Sequence, residues 1–135
     1  PFHQGMLNVF DKAESAFISA YRKHNKDGSF KIKLEYMAKP DLKDKILILS
    51  DPMLATGASM KLTYQAIIED VKPKHTYLAS VIASSEGVDY VKKNFSSDDV
   101  SIWVGAIDDE LTAQAYIVPG LGDAGDLAYG RKEDK

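Results

Sequence analysis

Four consecutive aliphatic residues, Ile46-Leu47-Ile48-Leu49, constrain this chain more than any other stretch. With no polar residue alternating among them, a strand built from them wants cover on both faces, the setting of a parallel sheet. The residues that follow repeat the demand. A helical stretch runs roughly from Ala58 to Asp70, with Leu62, Tyr64, Ala66, Ile67 and Ile68 as packing residues. A strand (Tyr77 to Ala83), a helix (Glu86 to Asn94) and a strand (Val100 to Val104) come next. Strand and helix alternating at this spacing predict an α/β fold with a mostly parallel sheet flanked by helices.

The first forty residues have another rhythm. Gly5 to Glu14 places Met6, Leu7, Val9, Phe10 and Ala13 near helical spacing. Ala16 to Tyr21 reads as a strand ending at Arg22, and Phe30 to Met37 alternates as a strand with one wet face until Pro40 closes it. Between them, His24 to Gly28 is turn chemistry, with Asp27-Gly28 the strongest hairpin signal. A β-hairpin-like excursion therefore precedes the α/β core.

At 135 residues the chain is one domain's worth, read here as a single unit over 1–135. A net charge of −3 gives no general attraction to nucleic acid or membrane, so any anion site must be local. The absence of cysteine excludes a disulfide framework and thiolate metal sites, and it fits a cytoplasmic setting. No apolar run is long enough for a membrane-spanning helix.

Ligands of open α/β sheets bind beyond the carboxyl ends of the strands. The first such junction is Ser50-Asp51-Pro52-Met53-Leu54-Ala55-Thr56-Gly57-Ala58-Ser59. The strand is expected to end at Ser50, with Asp51 at its tip and Pro52 stopping the ladder. Small residues from Ala55 to Ser59 then open a helix whose unpaired N–H groups and dipole suit a phosphate. The Thr56 and Ser59 hydroxyls add donors. The plainer reading is a helix capped by Thr or Ser, and the common phosphate fingerprints GxxxxGK[ST] and GxGxxG are absent. The other conspicuous stretch, Ala115 to Gly130, holds four glycines, one proline and two aspartates after a short apolar run. Such a loop either merely leads to the chain end or lets something approach the main chain closely.

Asp51-Pro52-Met53-Leu54-Ala55-Thr56-Gly57 after a hydrophobic strand resembles the ribose-phosphate loop of phosphoribosyltransferases. Tyr116-Ile117-Val118-Pro119-Gly120-Leu121-Gly122-Asp123-Ala124-Gly125-Asp126 resembles the base loop of the uracil phosphoribosyltransferase branch. The resemblance implies a phosphoribosyltransferase-type core and transfer of ribose-5-phosphate from phosphoribosyl pyrophosphate to uracil. It places Asp51, Pro52, Met53, Leu54, Ala55, Thr56, Gly57, Ala58 and Ser59 around phosphoribosyl pyrophosphate, with Ala55 to Ser59 at the 5-phosphate. Arg22 matches an arginine that contacts the pyrophosphate. Backbone groups of Ile117, Gly122 and Ala124 would read uracil, while Asp123 faces the ribose or diphosphate. Asp51 and Asp123 are the expected catalytic carboxylates. Mg²⁺ carried mainly by the pyrophosphate, GTP as an effector, a homodimer or higher oligomer and a missing N-terminal segment are implied in the same way.

Ser50 in place of a second acid is what the uracil branch shows, and Ala58 stands where glycine is usual. Thr112-Ala113 and Leu127 depart further, standing where the family tends to have Asn-Glu and a basic residue. These departures keep open an alternative, a non-catalytic nucleotide-binding regulatory module on the same fold. Elsewhere the plain readings prevail. His3, His24 and His75 read as surface histidines without metal-ligand spacing, Asp108-Asp109-Glu110 as a solvated turn, and Trp103 and Tyr77 as core or interface residues.

Overall fold

The computed structural model describes residues 1–24 and 30–130; the side chains of 20–33 lie outside the description. Helix α1 (Phe2–Val9) opens the chain and ends earlier than the apolar spacing predicts. Asp11 lies just beyond, and a carboxylate is disfavoured at the negative end of a helix. Strands β1 (Phe17–His24) and β2 (Phe30–Ala38) then pair antiparallel, with a register irregularity between Ser19 and Ala20. The hairpin is thus present, while its expected Asp27-Gly28 turn falls outside the described residues.

The core is a three-stranded parallel sheet in the order β3-β4-β5, built from β3 (Ile46–Leu54), β4 (His75–Ser84) and β5 (Val100–Asp108). Right after β3 and β4 come helices α2 (Ala58–Ile67) and α3 (Ser85–Asn94). Helix α2 stops short of Asp70 because Glu69 and Asp70 are acidic where the helix dipole favours cations. Ser84 caps α3, accepting from the Gly87 N–H at 2.8 Å, while Lys92 and Lys93 sit in its last turn. Both terminal signals agree with the dipole.

Two strands run further than the sequence predicts. β3 continues past Ser50 and Asp51 to Leu54; Pro52 leaves a gap in the ladder, but Met53 and Leu54 pair with Ile82 and Ala83. A proline is tolerated there because β3 is an edge strand of this sheet. β5 extends from Val104 to Asp108, pairing Ala106, Ile107 and Asp108 with Ile82, Ala83 and Ser84. The glycine-rich region adds a short antiparallel pair, β6 (Glu110–Leu111) and β7 (Ile117–Val118), and helix α4 (Ala124–Tyr129).

Leu54, Met60, Leu78, Ala83, Val88, Val91 and Val100 form the main core, where α2 and α3 lie on the sheet. Leu42, Leu47 and Ile67 form a second cluster, with Ile18 of the hairpin packed against it. Full burial of a Leu, Ile or Val side chain contributes roughly 1.5–3 kcal/mol. Several large apolar residues nonetheless face outward: Ile46, Val81 and Ile107 are exposed, and Trp103 is 66% exposed, which excludes a core role for it within this chain. Tyr77 is half-buried.

Candidate active site

Asp51, Met53, Leu54, Ala55, Thr56, Gly57, Ser59 and Met60 line a small concavity of about 40 Å³, open to solvent, at the carboxyl end of β3. Seven of these eight residues belong to the stretch that the sequence marks for the phosphate; Met60 lies beyond it, and Pro52 and Ala58 flank the concavity without lining it. The plainer reading of a Thr- or Ser-capped helix is not what α2 adopts. Gly57 occupies the capping position at φ 77 and no side chain caps the helix. Thr56 Oγ1 lies 3.5 Å from the Ala58 N–H, at the outer limit of a hydrogen bond. The first turn of α2 also carries no acidic residue. Main-chain donors and helix dipole together give this concavity its positive character.

Gly57 has a double reason to be glycine. Its φ lies in the left-handed region, and a Cβ there would meet Tyr90 Cδ1 at 2.8 Å. Gly87 is a second contact of the same kind, because a Cβ on it would collide with the Leu54 and Ala55 carbonyls. The buried Ser84 hydroxyl donates to the Ala55 carbonyl at 2.5 Å. The loop Asp51–Ser59 therefore rests on the start of α3.

Asp51 sits at the concavity with its Oδ1 accepting from the Met53 N–H at 2.9 Å. Burial pushes its carboxyl up from the usual carboxylate range, and the Met53 N–H opposes that shift. Arg22 lies in β1 opposite Ile32, and its side chain is outside the described residues.

The second loop begins with Ile117, which is buried, and passes through Gly120 at φ 55 and Gly122 at φ 81. A Cβ at Gly120 would strike the Ile117 carbonyl, whereas a Cβ at Gly122 meets nothing within 4 Å. The Gly120 N–H donates to Asp108 Oδ2 at 3.0 Å. Asp108 is thus an anchor rather than part of a solvated turn. Its signal was hidden, since only the strand's extension to 108 brings the carboxylate beneath this loop. Asp123 caps α4, its Oδ1 accepting from the Asp126 N–H at 3.0 Å, and Ala124 opens that helix. The atypical Thr112 closes the β6–β7 turn by accepting from the Tyr116 N–H at 3.1 Å, while Leu127 is exposed on α4. His75 is half-buried rather than on the surface, its Nε2 2.8 Å from Ser101 Oγ.

Because the three strands run parallel, the loop after β3 and the Asp108 anchor of the Gly120 loop both lie at the carboxyl end of the sheet. The architecture is that of a phosphoribosyltransferase. The AQ2163 protein from Aquifex aeolicus matches it with a TM-score of 0.84 and 33% identity, over 95% of this chain and 59% of that one. A family model for uracil phosphoribosyltransferase matches residues 1–131, and the chain belongs to that family. It is 55% identical over 132 residues to the uracil phosphoribosyltransferase of Porphyromonas gingivalis and 38% identical over 134 residues to that of Methanothermobacter thermautotrophicus. It spans 98% of its own length in the first match and 99% in the second, but only 61% and 60% of those relatives.

Proposed function

We propose that the chain carries the phosphoribosyl pyrophosphate and uracil sites of an enzyme that transfers ribose-5-phosphate to uracil, giving UMP and pyrophosphate. The observation that carries this reading is the uncapped first turn of α2 behind Gly57, set in the concavity with Asp51. Ala55 to Ser59 receive the 5-phosphate, with Pro52, Met53 and Leu54 forming the approach and Asp51 near the ribose hydroxyls. Arg22 meets the pyrophosphate. Main-chain groups of Ile117, Gly122 and Ala124 read the alternating acceptors and N–H donor on the uracil edge, and Asp123 faces the ribose.

In the transfer, uracil N1 bonds to ribose C1 as the bond from C1 to the pyrophosphate oxygen breaks. Pyrophosphate leaves with the electron pair, and the N1 proton passes to solvent. Positive charge gathers on the ribose ring in the transition state, so Asp51 and Asp123 act by electrostatic stabilisation and the two loops by orientation.

Among the described residues no three His, Asp or Glu side chains converge, and Asp51 is the one carboxylate lining the concavity. That donor set fits Mg²⁺ arriving with the pyrophosphate and keeping substrate oxygens and water as most of its ligands. Bound there, Mg²⁺ neutralises the leaving group. The exposed Val81, Trp103 and Ile107 support a homodimer or higher oligomer. Activation by GTP and a cytoplasmic setting rest on the family resemblance alone. No helix among the described residues is long and apolar enough to cross a membrane.

The test is pyrophosphate release by the intact protein from phosphoribosyl pyrophosphate with uracil, cytosine, hypoxanthine or guanine. Uracil should be used in strong preference. Cytosine inverts two hydrogen-bonding positions and leaves polar groups facing like partners. Equal use of uracil and cytosine, or no release with any base, would overturn the reading.

A further inference from the structure

Ser84 and Asp108 are register partners at the ends of β4 and β5, and each holds a different loop. The Ser84 hydroxyl donates to the Ala55 carbonyl at 2.5 Å, and Asp108 Oδ2 accepts from the Gly120 N–H at 3.0 Å. One rung of the parallel ladder thus grips the loop Asp51–Ser59 on one side and the loop Ile117–Ala124 on the other. A neighbouring contact, Ser85 Oγ donating to Asp109 Oδ1 at 3.1 Å, ties the same strand ends once more. Each grip falls on a backbone with little freedom of its own. Ala55 is pressed against Gly87, and Gly120 is a left-handed turn closed over the Ile117 carbonyl.

We infer that Ser84 and Asp108 are a pair of positioning residues, which set the separation and orientation of the phosphate loop and the base loop without touching either substrate. This rests on the function proposed above. Asp108 acts through the Gly120 N–H: holding that N–H fixes the path between Ile117 and Gly122, and so the direction of the main-chain groups that read the base. Ser84 acts through the Ala55 carbonyl, turning that peptide so that the N–H groups after it face the concavity. A hydrogen bond to a charged acceptor is among the stronger ones a backbone N–H makes. Removal of Asp108 therefore releases the base loop, while removal of Ser84 releases the phosphate loop.

The experiment compares Asp108→Ala, Asp108→Asn and Ser84→Ala in the intact protein. Asp108→Ala should raise the KM for uracil about tenfold or more while leaving the KM for phosphoribosyl pyrophosphate within about twofold. Asp108→Asn keeps a carbonyl oxygen for the Gly120 N–H and should restore most of the loss. Ser84→Ala should show the opposite split, with phosphoribosyl pyrophosphate affected and uracil spared. A role in stability alone would move both constants together, follow the loss of Tm and gain nothing from Asn; that result overturns the inference. Hydrogen exchange supplies an arm independent of turnover: Asp108→Ala should speed exchange over 117–124 and leave 51–59 as in the parent. If the wild type lacks uracil transfer, the proposed function fails, yet the exchange pattern still decides whether Asp108 holds the loop.

Discussion

Asp51 Oδ1 accepts a hydrogen bond from the Met53 N–H at 2.9 Å, so the carboxylate bends back over Pro52 at the tip of β3. Burial outweighs this bond and raises the Asp51 pKa, which means that the fold favours the protonated form. Stability from this group is fully present below the ordinary carboxylate pKa and is lost as pH rises through the raised value. Asp51→Asn should therefore melt higher than the parent at pH 7, by up to about 1 kcal/mol, and the difference should shrink on acidification. The same substitution should weaken phosphoribosyl pyrophosphate binding. A pH-independent difference in melts between pH 4 and 8 would contradict the assignment.

Thr56 offers a test that leaves charge alone. Among the described residues its hydroxyl makes only a 3.5 Å contact, which leaves it available to a ligand. Thr56→Val should cost about 1–3 kcal/mol in phosphoribosyl pyrophosphate binding measured by calorimetry, the usual range for hydrogen bonds to charged groups. Folding stability should change little.

Gly120 and Gly122 share a left-handed backbone but differ in their surroundings. Gly122→Asn should be tolerated in folding, because Asn enters this region readily and nothing crowds its Cβ. Gly122→Val adds the strain of a β-branched side chain at positive φ and should abolish uracil use. Gly120→Ala meets the Ile117 carbonyl and should lower stability by more than the roughly 1–2 kcal/mol of the left-handed conformation alone. Denaturant titrations of the three variants give this order directly.

Gly87→Ala is the counterpart beneath the phosphate loop. The added methyl collides with the Leu54 and Ala55 carbonyls, and overpacking of this kind costs about 1–3 kcal/mol. Reduced phosphoribosyl pyrophosphate affinity should accompany the loss of stability. A variant as stable and as tight-binding as its parent would show that the loop has room to move off α3.

The sequence made the α/β core legible because each element carries its own period. Ile46 to Leu49 is a continuous apolar run that opens β3, although only Leu47 of the four is buried and Ile46 is exposed. The helical stretch from Glu86 to Asn94 falls within α3. Strand ends were less legible. Pro52 reads as a stop, yet on an edge strand it merely skips one rung, and the pairing of Met53 and Leu54 depends on partners across the sheet. The lining of the concavity followed from the spacing of small residues after Asp51. Ser84 and Gly87 carry no sequence signal for their roles, and Asp108 reads as part of a solvated turn, because all three depend on tertiary neighbours: a carbonyl from another loop, a crowded Cβ, an N–H twelve residues onward. Trp103 reads from the sequence as core or interface, and its 66% exposure excludes the first of these within this chain.

The central place of β4 has a consequence for the order of events during folding. β3 and β5 do not touch each other in the ladder; Ile46 pairs with His75, and Thr76 pairs with Val100. Each pairing closes a loop containing a whole helix, an entropic cost that precedes any gain from long-range contacts. The phosphate loop gains the Ser84 contact only once β4 has docked beside β3, whereas the Asp108 contact to the base loop spans only twelve residues after β5. In refolding followed by pulse-labelled hydrogen exchange, residues 117–124 should therefore gain protection no later than residues 51–59, whose support closes the longer loop.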